Sequence, residues 1–305
     1  MKGRNWILLT MAIALSGAAS NILLNMRLDI YGLFRDTHGR RLGVIDNERR
    51  TKLLLSQRYV PENFDGVLIG SSVSNNWNTG AIRNFRIYNE SLDGGTISEE
   101  KLLIHKVMQK SALKLAICVV NPGLTAVHGF SSGDMTEREY WGALGSTSLY
   151  RAYAKMVSGR TGAPRYLSDE YGTELNDDPI KLNAVLREMW APDTEFHVDP
   201  DAFTDYRELV QELRQHGVRL AVVLPPTYEG LFEPKRQAFL RYTNRLMTVF
   251  SSKDTFIDFT APEFNSLRQD PKNFRDGVHL SSQCAATVVE VLNERLQSEV
   301  EARTP

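Results

Sequence analysis

The sequence has few cysteines and almost no net charge, and each deficit excludes a class of protein. Two cysteines in 305 residues are too few for a disulfide framework or a cysteine-rich zinc site. The 36 basic and 37 acidic residues leave a net charge of −1, so composition gives no reason to expect nucleic acid. The chain is 42% hydrophobic, which excludes a disordered protein. The histidines lack metal-ligand spacing and no phosphate-binding loop occurs, so we expect neither a metal nor a cofactor.

One region lacks charge altogether, because no charged residue occurs between Arg4 and Arg27. As a helix this segment would span roughly 33 Å, enough to cross the apolar core of a bilayer. Residues 1–27 are open to three interpretations: an uncleaved signal anchor, a signal peptide cleaved near residues 17–19, and a buried core helix. The anchor is favoured, since apolar residues continue beyond the cleavage point. Lys2 and Arg4 precede the segment and predict an extracytoplasmic or periplasmic domain after it.

The two cysteines fit two interpretations. Cys118 lies in an apolar run and Cys284 in a C-terminal helical pattern. In an oxidising compartment a disulfide between them can form. Two buried free thiols are the favoured alternative.

Short apolar runs alternate with helical patterns after a polar stretch, which we interpret as a juxtamembrane linker over residues 28–60. Five runs have the composition of strands buried on both faces of a parallel sheet. These runs are residues 67–69, 85–88, 113–120, 218–224 and 255–259. The alternation predicts an α/β three-layer sandwich with a mainly parallel five-stranded sheet over residues 61–305.

Four helices are predicted between and after these strands. A capping box from Thr96 to Glu99 opens the first, Pro234 lies in the first turn of the third, and Ser281 or Ser282 caps the last. The helices cover about residues 97–110, 203–216, 234–250 and 283–301. The long stretch 124–200 interrupts the alternation. It predicts an insertion, helical at about 136–158 and 179–190, over the sheet edge where ligands bind in such folds.

Three residues could together provide a nucleophile and its base. Ser72, in the sequence Gly70-Ser71-Ser72-Val73, follows the first strand, where a tight turn exposes its hydroxyl and its N–H. Asp276 and His279 are three residues apart across a turn before the last helix. The carboxylate can therefore reach imidazole Nδ1 and leave Nε2 to take a serine proton. Separately, each stretch is also explained by an ordinary helix cap or turn.

Two further stretches at strand ends could stabilise an oxyanion. Gly94 and Gly95 follow the second strand, and glycine lets backbone amides approach a ligand closely. Asn121 ends the third strand and could donate a side-chain N–H. An ordinary strand-to-helix loop and a plain Asn-Pro-Gly turn are the alternatives.

Along the chain the order of the four stretches is Ser72, Gly94, Asn121 and then Asp276 with His279. In this order they resemble the motifs of the SGNH (GDSL-like) hydrolase superfamily over residues 64–298. The resemblance implies a flavodoxin-like fold. It also implies that Ser72 is the nucleophile, His279 the general base and Asp276 its partner. Gly94 and the Ser72 amide would form most of the oxyanion hole, and Asn121 stands where the family often has its Asn.

The sequence departs from this pattern in two blocks. Ser71 replaces the usual Asp of the first block. The third block, Gly-x-Asn-Asp, is replaced by Val119-Val120-Asn121-Pro122. With both changes, the sequence resembles a divergent, membrane-anchored cell-envelope branch of the superfamily. Members of this branch look linked to modification of surface polysaccharide or wall polymers.

The resemblance implies a membrane-anchored serine esterase or O-acyltransferase that acts on cell-envelope glycan esters. Its partners would be an acylated glycan or other envelope ester, the inner membrane and a membrane acyl-donor protein, with no nucleic acid. Two other hypotheses stay open. One is a non-catalytic SGNH-like protein that binds a glycan or scaffolds a polysaccharide export or modification system, and the other is a lipid esterase.

Overall fold

The chain contains seven strands in the parts that its structure, a computed structural model, describes. These parts are residues 3–29, 31, 33, 43–45, 47–131, 135, 166–175 and 195–303. The strands are β1 Gly43–Ile45, β2 Gly66–Ile69, β3 Ile87–Asn89, β4 Leu115–Val119, β5 Tyr166–Ser168, β6 Arg219–Leu224 and β7 Thr255–Asp258.

Five of the strands form the central sheet, in the order β3-β2-β4-β6-β7. Every pairing in this sheet is parallel. The expected five-stranded parallel sheet is therefore confirmed, with strand ends within about two residues of those predicted. The carboxyl ends of β2, β4 and β6 lie side by side, so the residues that follow these strands meet at one edge.

Eight helices accompany the strands in the described parts of the chain. They are α1 Gly3–Leu28, α2 Glu48–Leu55, α3 Tyr59–Asn63, α4 Ile97–Met108, α5 Pro200–Gln215, α6 Glu229–Met247, α7 Asn265–Gln269 and α8 Ser282–Arg303. Alternate strand residues enter two separate apolar clusters. Leu68 and Ile117 pack with α8 on one face of the sheet. Val67 and Ala116 pack with α4, α5 and α6 on the other, which confirms the three layers.

The predicted start is confirmed for α4 and is wrong for α6. Thr96 and Glu99 form the expected capping box, each side chain bonded to the other residue's backbone N–H. Helix α6 begins at Glu229, so Pro234 lies inside the helix rather than in its first turn. The missing N–H of this proline removes one intrahelical hydrogen bond. The helix continues on both sides, with Leu231, Phe232 and Phe239 buried.

The predicted linker over residues 28–60 is wrong for its second half. Helix α2 lies there, capped by Asn47, whose side chain accepts from the Arg50 N–H at 3.0 Å. Leu53 and Leu54 are buried, and so is Lys52. The globular part therefore begins before residue 61, because α2 and α3 pack against α4 in the helical layer on one face of the sheet.

Little of the predicted insertion at 124–200 falls in the described residues. Both of its expected helical parts, about 136–158 and 179–190, lie outside them. What is described includes a 3₁₀ turn, Pro122–Thr125, which overlaps its start, and β5. Strand β5 pairs antiparallel with β1, so the insertion contacts the segment that precedes α2.

Helix α1 has 26 residues, and its large apolar side chains are exposed. Its Gly3–Arg27 segment is long and apolar enough to cross a membrane, and none of its most apolar window is buried. A buried core helix is therefore contradicted. The choice between an anchor and a cleaved signal stays a prediction.

The two cysteines are free thiols, and both are buried. Cys118 belongs to the apolar cluster on one face of the sheet and Cys284 to the cluster on the other. A disulfide between them is excluded because the sheet separates them. Burial raises the pKa of each thiol to about 12, so both stay protonated at neutral pH.

Candidate functional site

Ser72 stands at the carboxyl edge of the sheet, three residues after β2 ends, at the start of a 3₁₀ turn Ser72–Ser74. Gly70 makes this turn tight. A Cβ on Gly70 would lie 2.1 Å from Ser74 Oγ and 2.9 Å from Ser91 Oγ, closer than atoms pack. Glycine fits here because the side chains of Ser74, in the same turn, and Ser91, in the connection after β3, lie directly against it.

Asp276 makes three hydrogen bonds within one short turn, two to His279 and one to Val278. Its Oδ2 lies 2.5 Å from His279 Nδ1. Its Oδ1 accepts the N–H of His279 at 2.9 Å and that of Val278 at 3.2 Å. Burial alone raises the pKa of the Asp276 carboxyl, but hydrogen bonds from the ring and the backbone outweigh it and hold that pKa below its usual value. The carboxyl is therefore ionised and accepts the Nδ1 proton.

The histidine ring joins this turn to the serine. His279 Nε2 lies 2.8 Å from Ser72 Oγ, although 207 positions separate the two residues. With the Nδ1 proton on the Asp276 side, Nε2 carries a lone pair and accepts the serine O–H. The structure thus brings together the three residues that the sequence singled out, in the order acid, imidazole, hydroxyl.

The segment after β3 runs beside Ser72. Ser71 and Leu92 form a parallel β-bridge, which places the following residues 93–95 alongside the serine turn. Gly94 adopts a φ of 56°, in the left-handed region that favours glycine. Within the described residues, neither the Gly94 N–H nor the Ser72 N–H donates a hydrogen bond. Both are candidates for binding an oxyanion.

Asn121 lies at the carboxyl end of β4, beside β2. Its Oδ1 accepts the Gly123 N–H at 2.7 Å and caps the Pro122–Thr125 turn. Tyr242 donates its hydroxyl proton to the Asn121 carbonyl at 3.0 Å. The bond from Gly123 fixes the side-chain amide with its oxygen toward Gly123, so the NH₂ group faces away from that turn. Among the described residues it donates to none, and Asn121 lines a cavity beside the triad.

That cavity has a volume of about 340 Å³ and is largely apolar. Val73 and Val278, the chain neighbours of Ser72 and His279, line it. The remaining lining comes from the ends of β4 and β6, from α6 and from residues before α5: Val120, Asn121, Pro122, Gly123, Ala126, Phe196, His197, Pro225, Thr227, Phe232, Lys235 and Phe239. A cavity of this composition suits an aliphatic or aromatic group better than a sugar.

A buried ionic cluster holds residues 89–91, which lead into the loop that carries Gly94, and no local sequence pattern indicated it. The Lys52 ammonium donates to the carbonyls of Asn89, at 2.9 Å, and Ser91. Glu90 is fully buried, and its Oε1 accepts from Ser56 Oγ at 2.8 Å. Burial raises the pKa of the Glu90 carboxyl to about 7 and that of Glu100 well above its usual value. A run rich in charge, such as residues 48–52, ordinarily indicates an exposed surface. The sequence therefore predicted a linker there and not a buried lysine.

Comparison with known proteins gives similarity to solved structures alone. No model of a known protein family matches the chain, and no curated protein does. A structure described as a platelet activating factor from Streptococcus pneumonia is 10% identical, with 82% of this chain and 91% of that chain covered and a TM-score of 0.45.

Two further structures are similar at the same level. A GDSL-like lipase from Bacteroides thetaiotaomicron VPI-5482 is 9% identical, with coverage of 78% of this chain and 87% of that chain and a TM-score of 0.38. An acetyl xylan esterase is 10% identical, with coverage of 77% and 99% and a TM-score of 0.39. Function must therefore be inferred from the site of this chain itself.

Proposed function

We propose that the protein is a serine esterase or O-acyltransferase that works through an acyl-enzyme. One observation carries the proposal: the unbroken chain from Ser72 Oγ to His279 Nε2, at 2.8 Å, and from His279 Nδ1 to Asp276, at 2.5 Å. Both distances are within the reach that general-base catalysis needs. A nucleophile, a base and an orienting acid in this arrangement activate a hydroxyl for attack on a carbonyl.

In the first half-reaction, Ser72 Oγ bonds to the ester carbonyl carbon while its proton passes to His279 Nε2. The carbonyl oxygen becomes an oxyanion, to which the N–H groups of Ser72 and Gly94 and the Asn121 amide donate hydrogen bonds. The bond to the alcohol then breaks, and the leaving oxygen takes the proton from Nε2. Asp276 stabilises the imidazolium that forms between these steps.

In the second half-reaction, water or a sugar hydroxyl attacks the acyl group on Ser72. His279 Nε2 takes the proton of the attacking oxygen and returns it to Ser72 Oγ as the ester bond breaks. The products are a free acid when water attacks and a new ester when a hydroxyl attacks. The same residues therefore support both a hydrolase and a transferase.

The cavity indicates the size of the acyl group. An apolar cavity of ~150 Å³ is large enough to bind benzene. The cavity beside Ser72, at about 340 Å³, has room for an aliphatic chain longer than acetyl. This feature favours the lipid-esterase hypothesis, or an envelope ester with a longer acyl chain, over a site built only for acetate.

Location supports an envelope substrate. Helix α1 is long and apolar enough to span a bilayer, and Lys2 and Arg4 precede it in the sequence. On the positive-inside rule, we propose that Ser72 and His279 lie outside the cytoplasm, with the chain anchored to the inner membrane by α1. We propose envelope glycan esters as substrates, on the strength of this placement and of the resemblance to the envelope branch, with a membrane protein as acyl donor.

The alternative is a non-catalytic SGNH-like protein that binds a glycan or scaffolds an export complex. Ser71 in place of the usual Asp and the altered third block favour it. The hydrogen-bonded Ser72, His279 and Asp276 disfavour it, because a scaffold has no need of a serine held on an imidazole.

The test compares the full-length protein with its Ser72→Ala variant on p-nitrophenyl acetate, p-nitrophenyl octanoate and an acetylated oligosaccharide. Loss of the nucleophile should lower kcat roughly 10⁴- to 10⁶-fold. Ser252→Ala, an exposed hydroxyl at the opposite edge of the sheet, should leave activity unchanged. Adding a sugar acceptor distinguishes transfer from hydrolysis by the new ester formed. Equal activity in the unsubstituted and Ser72→Ala proteins on every ester would contradict the proposal.

A further inference from the structure

Helix α2 reaches the loop that carries Gly94 through two adjacent residues. The Arg49 guanidinium donates through Nη2 to the Asp93 carbonyl at 2.8 Å and to the Gly94 carbonyl at 3.2 Å. Glu48 Oε2 accepts the Asp93 N–H at 2.9 Å. The peptide groups before and after Asp93 are thus both held by side chains of α2.

The bond to Asp93 acts on Gly94 through a single peptide group. The Asp93 carbonyl and the Gly94 N–H belong to the same planar unit, and a trans peptide directs them to opposite sides. There are no cis peptide bonds in the described residues. Fixing the carbonyl toward Arg49 therefore fixes the Gly94 N–H away from Arg49. Hydrogen bonding at the carbonyl also polarises the amide and makes its N–H a stronger donor.

Arg49 is itself held in place. Its Nε donates to Glu99 Oε1 at 3.0 Å, and the Glu99 side chain is fully buried. Glu99 also accepts the Thr96 N–H at 3.1 Å and the Ser131 N–H at 3.0 Å. The guanidinium is thereby tied to the first turn of α4, which follows the Gly94 loop, so its direction is set by two elements.

We propose that Arg49 is a positioning residue that orients and polarises the Gly94 N–H for oxyanion binding, with Glu48 fixing the preceding peptide. The inference rests on the proposed function. Arg49 does not line the cavity beside Ser72, and among the described residues it makes no hydrogen bond with Ser72 or His279. Its effect should therefore appear in the transition state, where the oxyanion exists, and leave substrate binding nearly unchanged.

Kinetics test the catalytic part of this inference in the full-length protein. Arg49→Met should lower kcat about 10- to 100-fold with KM almost constant, less than the ~10²–10³ lost with a whole oxyanion donor. Arg49→Lys retains one charged donor and should recover part of the loss. Arg214→Met is the matched control. Arg214 also bonds a backbone carbonyl, Val249 at 3.0 Å, and a carboxylate, Asp254, but at the opposite sheet edge.

A second measurement tests the positioning without any catalysis. In protein labelled with [¹⁵N]glycine, Arg49→Met should shift the Gly94 amide resonance, and Arg214→Met should not. An unmoved Gly94 resonance, or a moved one with unchanged kcat, overturns the inference. Absence of Ser72-dependent turnover in the unsubstituted protein overturns the proposed function and the catalytic part with it. The NMR result then decides the positioning alone.

Discussion

The two sides of Ser72 are held in place in different ways. On one side, Asp276 orients His279 from three positions away, inside a single turn. On the other, the Gly94 loop is fixed by Arg49, which lies 44 positions before Asp93 and 45 before Gly94 in the chain. The base side is a local structure and the oxyanion side is a tertiary one. The oxyanion side should therefore be the more sensitive to changes far from the serine.

Asp276→Asn disrupts the local contact that orients His279, and it should have the largest effect on kcat. The amide cannot hold the His279 tautomer that leaves Nε2 free, so we expect kcat to fall about 10⁴-fold. Asp270→Asn is the control, because Asp270 Oδ1 likewise accepts a backbone N–H, from Lys272 at 2.9 Å, away from the ring. Steady-state rates on p-nitrophenyl esters give the answer. A loss as small as that of the control would mean that Asp276 does not orient the imidazole for catalysis.

Asn121→Ser tests whether the oxyanion side includes a side-chain donor. Serine still accepts the Gly123 N–H and keeps the turn capped, but it removes the amide NH₂ group. If Asn121 donates to the oxyanion, kcat should fall about 10²- to 10³-fold. Thermal melting of the variant controls for the turn. If both kcat and the melting temperature are unchanged, Asn121 is not a donor, and the oxyanion hole consists of the Gly94 and Ser72 N–H groups alone.

Glu90→Gln tests the buried support behind the loop. The folded-state pKa of Glu90 is raised by burial from 4.5 to about 7, so the folded protein binds a proton that the unfolded chain loses across this range. The free energy of unfolding therefore falls as pH rises from about 4.5 to about 7. The variant should lack the share of this decline that Glu90 contributes, on the order of 3 kcal/mol above pH 7, while the buried Glu100 keeps its own contribution.

Urea unfolding at the two ends of this pH range measures that difference, and any pH-independent cost of the amide cancels. Glu294→Gln, at an exposed position of α8, should keep the pH dependence of the unsubstituted protein. If Glu90→Gln keeps the full pH dependence, Glu90 does not titrate in this range.

The contrast between local and tertiary support also explains what the sequence could predict. The Asp276–His279 spacing and the serine after β2 are local patterns, and the sheet brought them together as expected. Lys52 can be buried because the carbonyls of Asn89 and Ser91, far along the chain, accept hydrogen bonds from its ammonium. Nothing within the run Glu48–Lys52 distinguishes it from an exposed linker. Similarly, packing of Phe232 and Phe239 extends α6 across Pro234, which local propensity alone would place at a helix start.

The most direct test of the central claim is covalent labelling of the full-length protein with a fluorophosphonate, located by tandem mass spectrometry. Ser72 Oγ should bond to phosphorus with loss of fluoride. The label should lie on Ser72 and persist in Ser71→Ala. It should vanish in Ser72→Ala and fall sharply in Asp276→Asn. Labelling on another serine, or none on any, would contradict the assignment of Ser72 as an activated nucleophile.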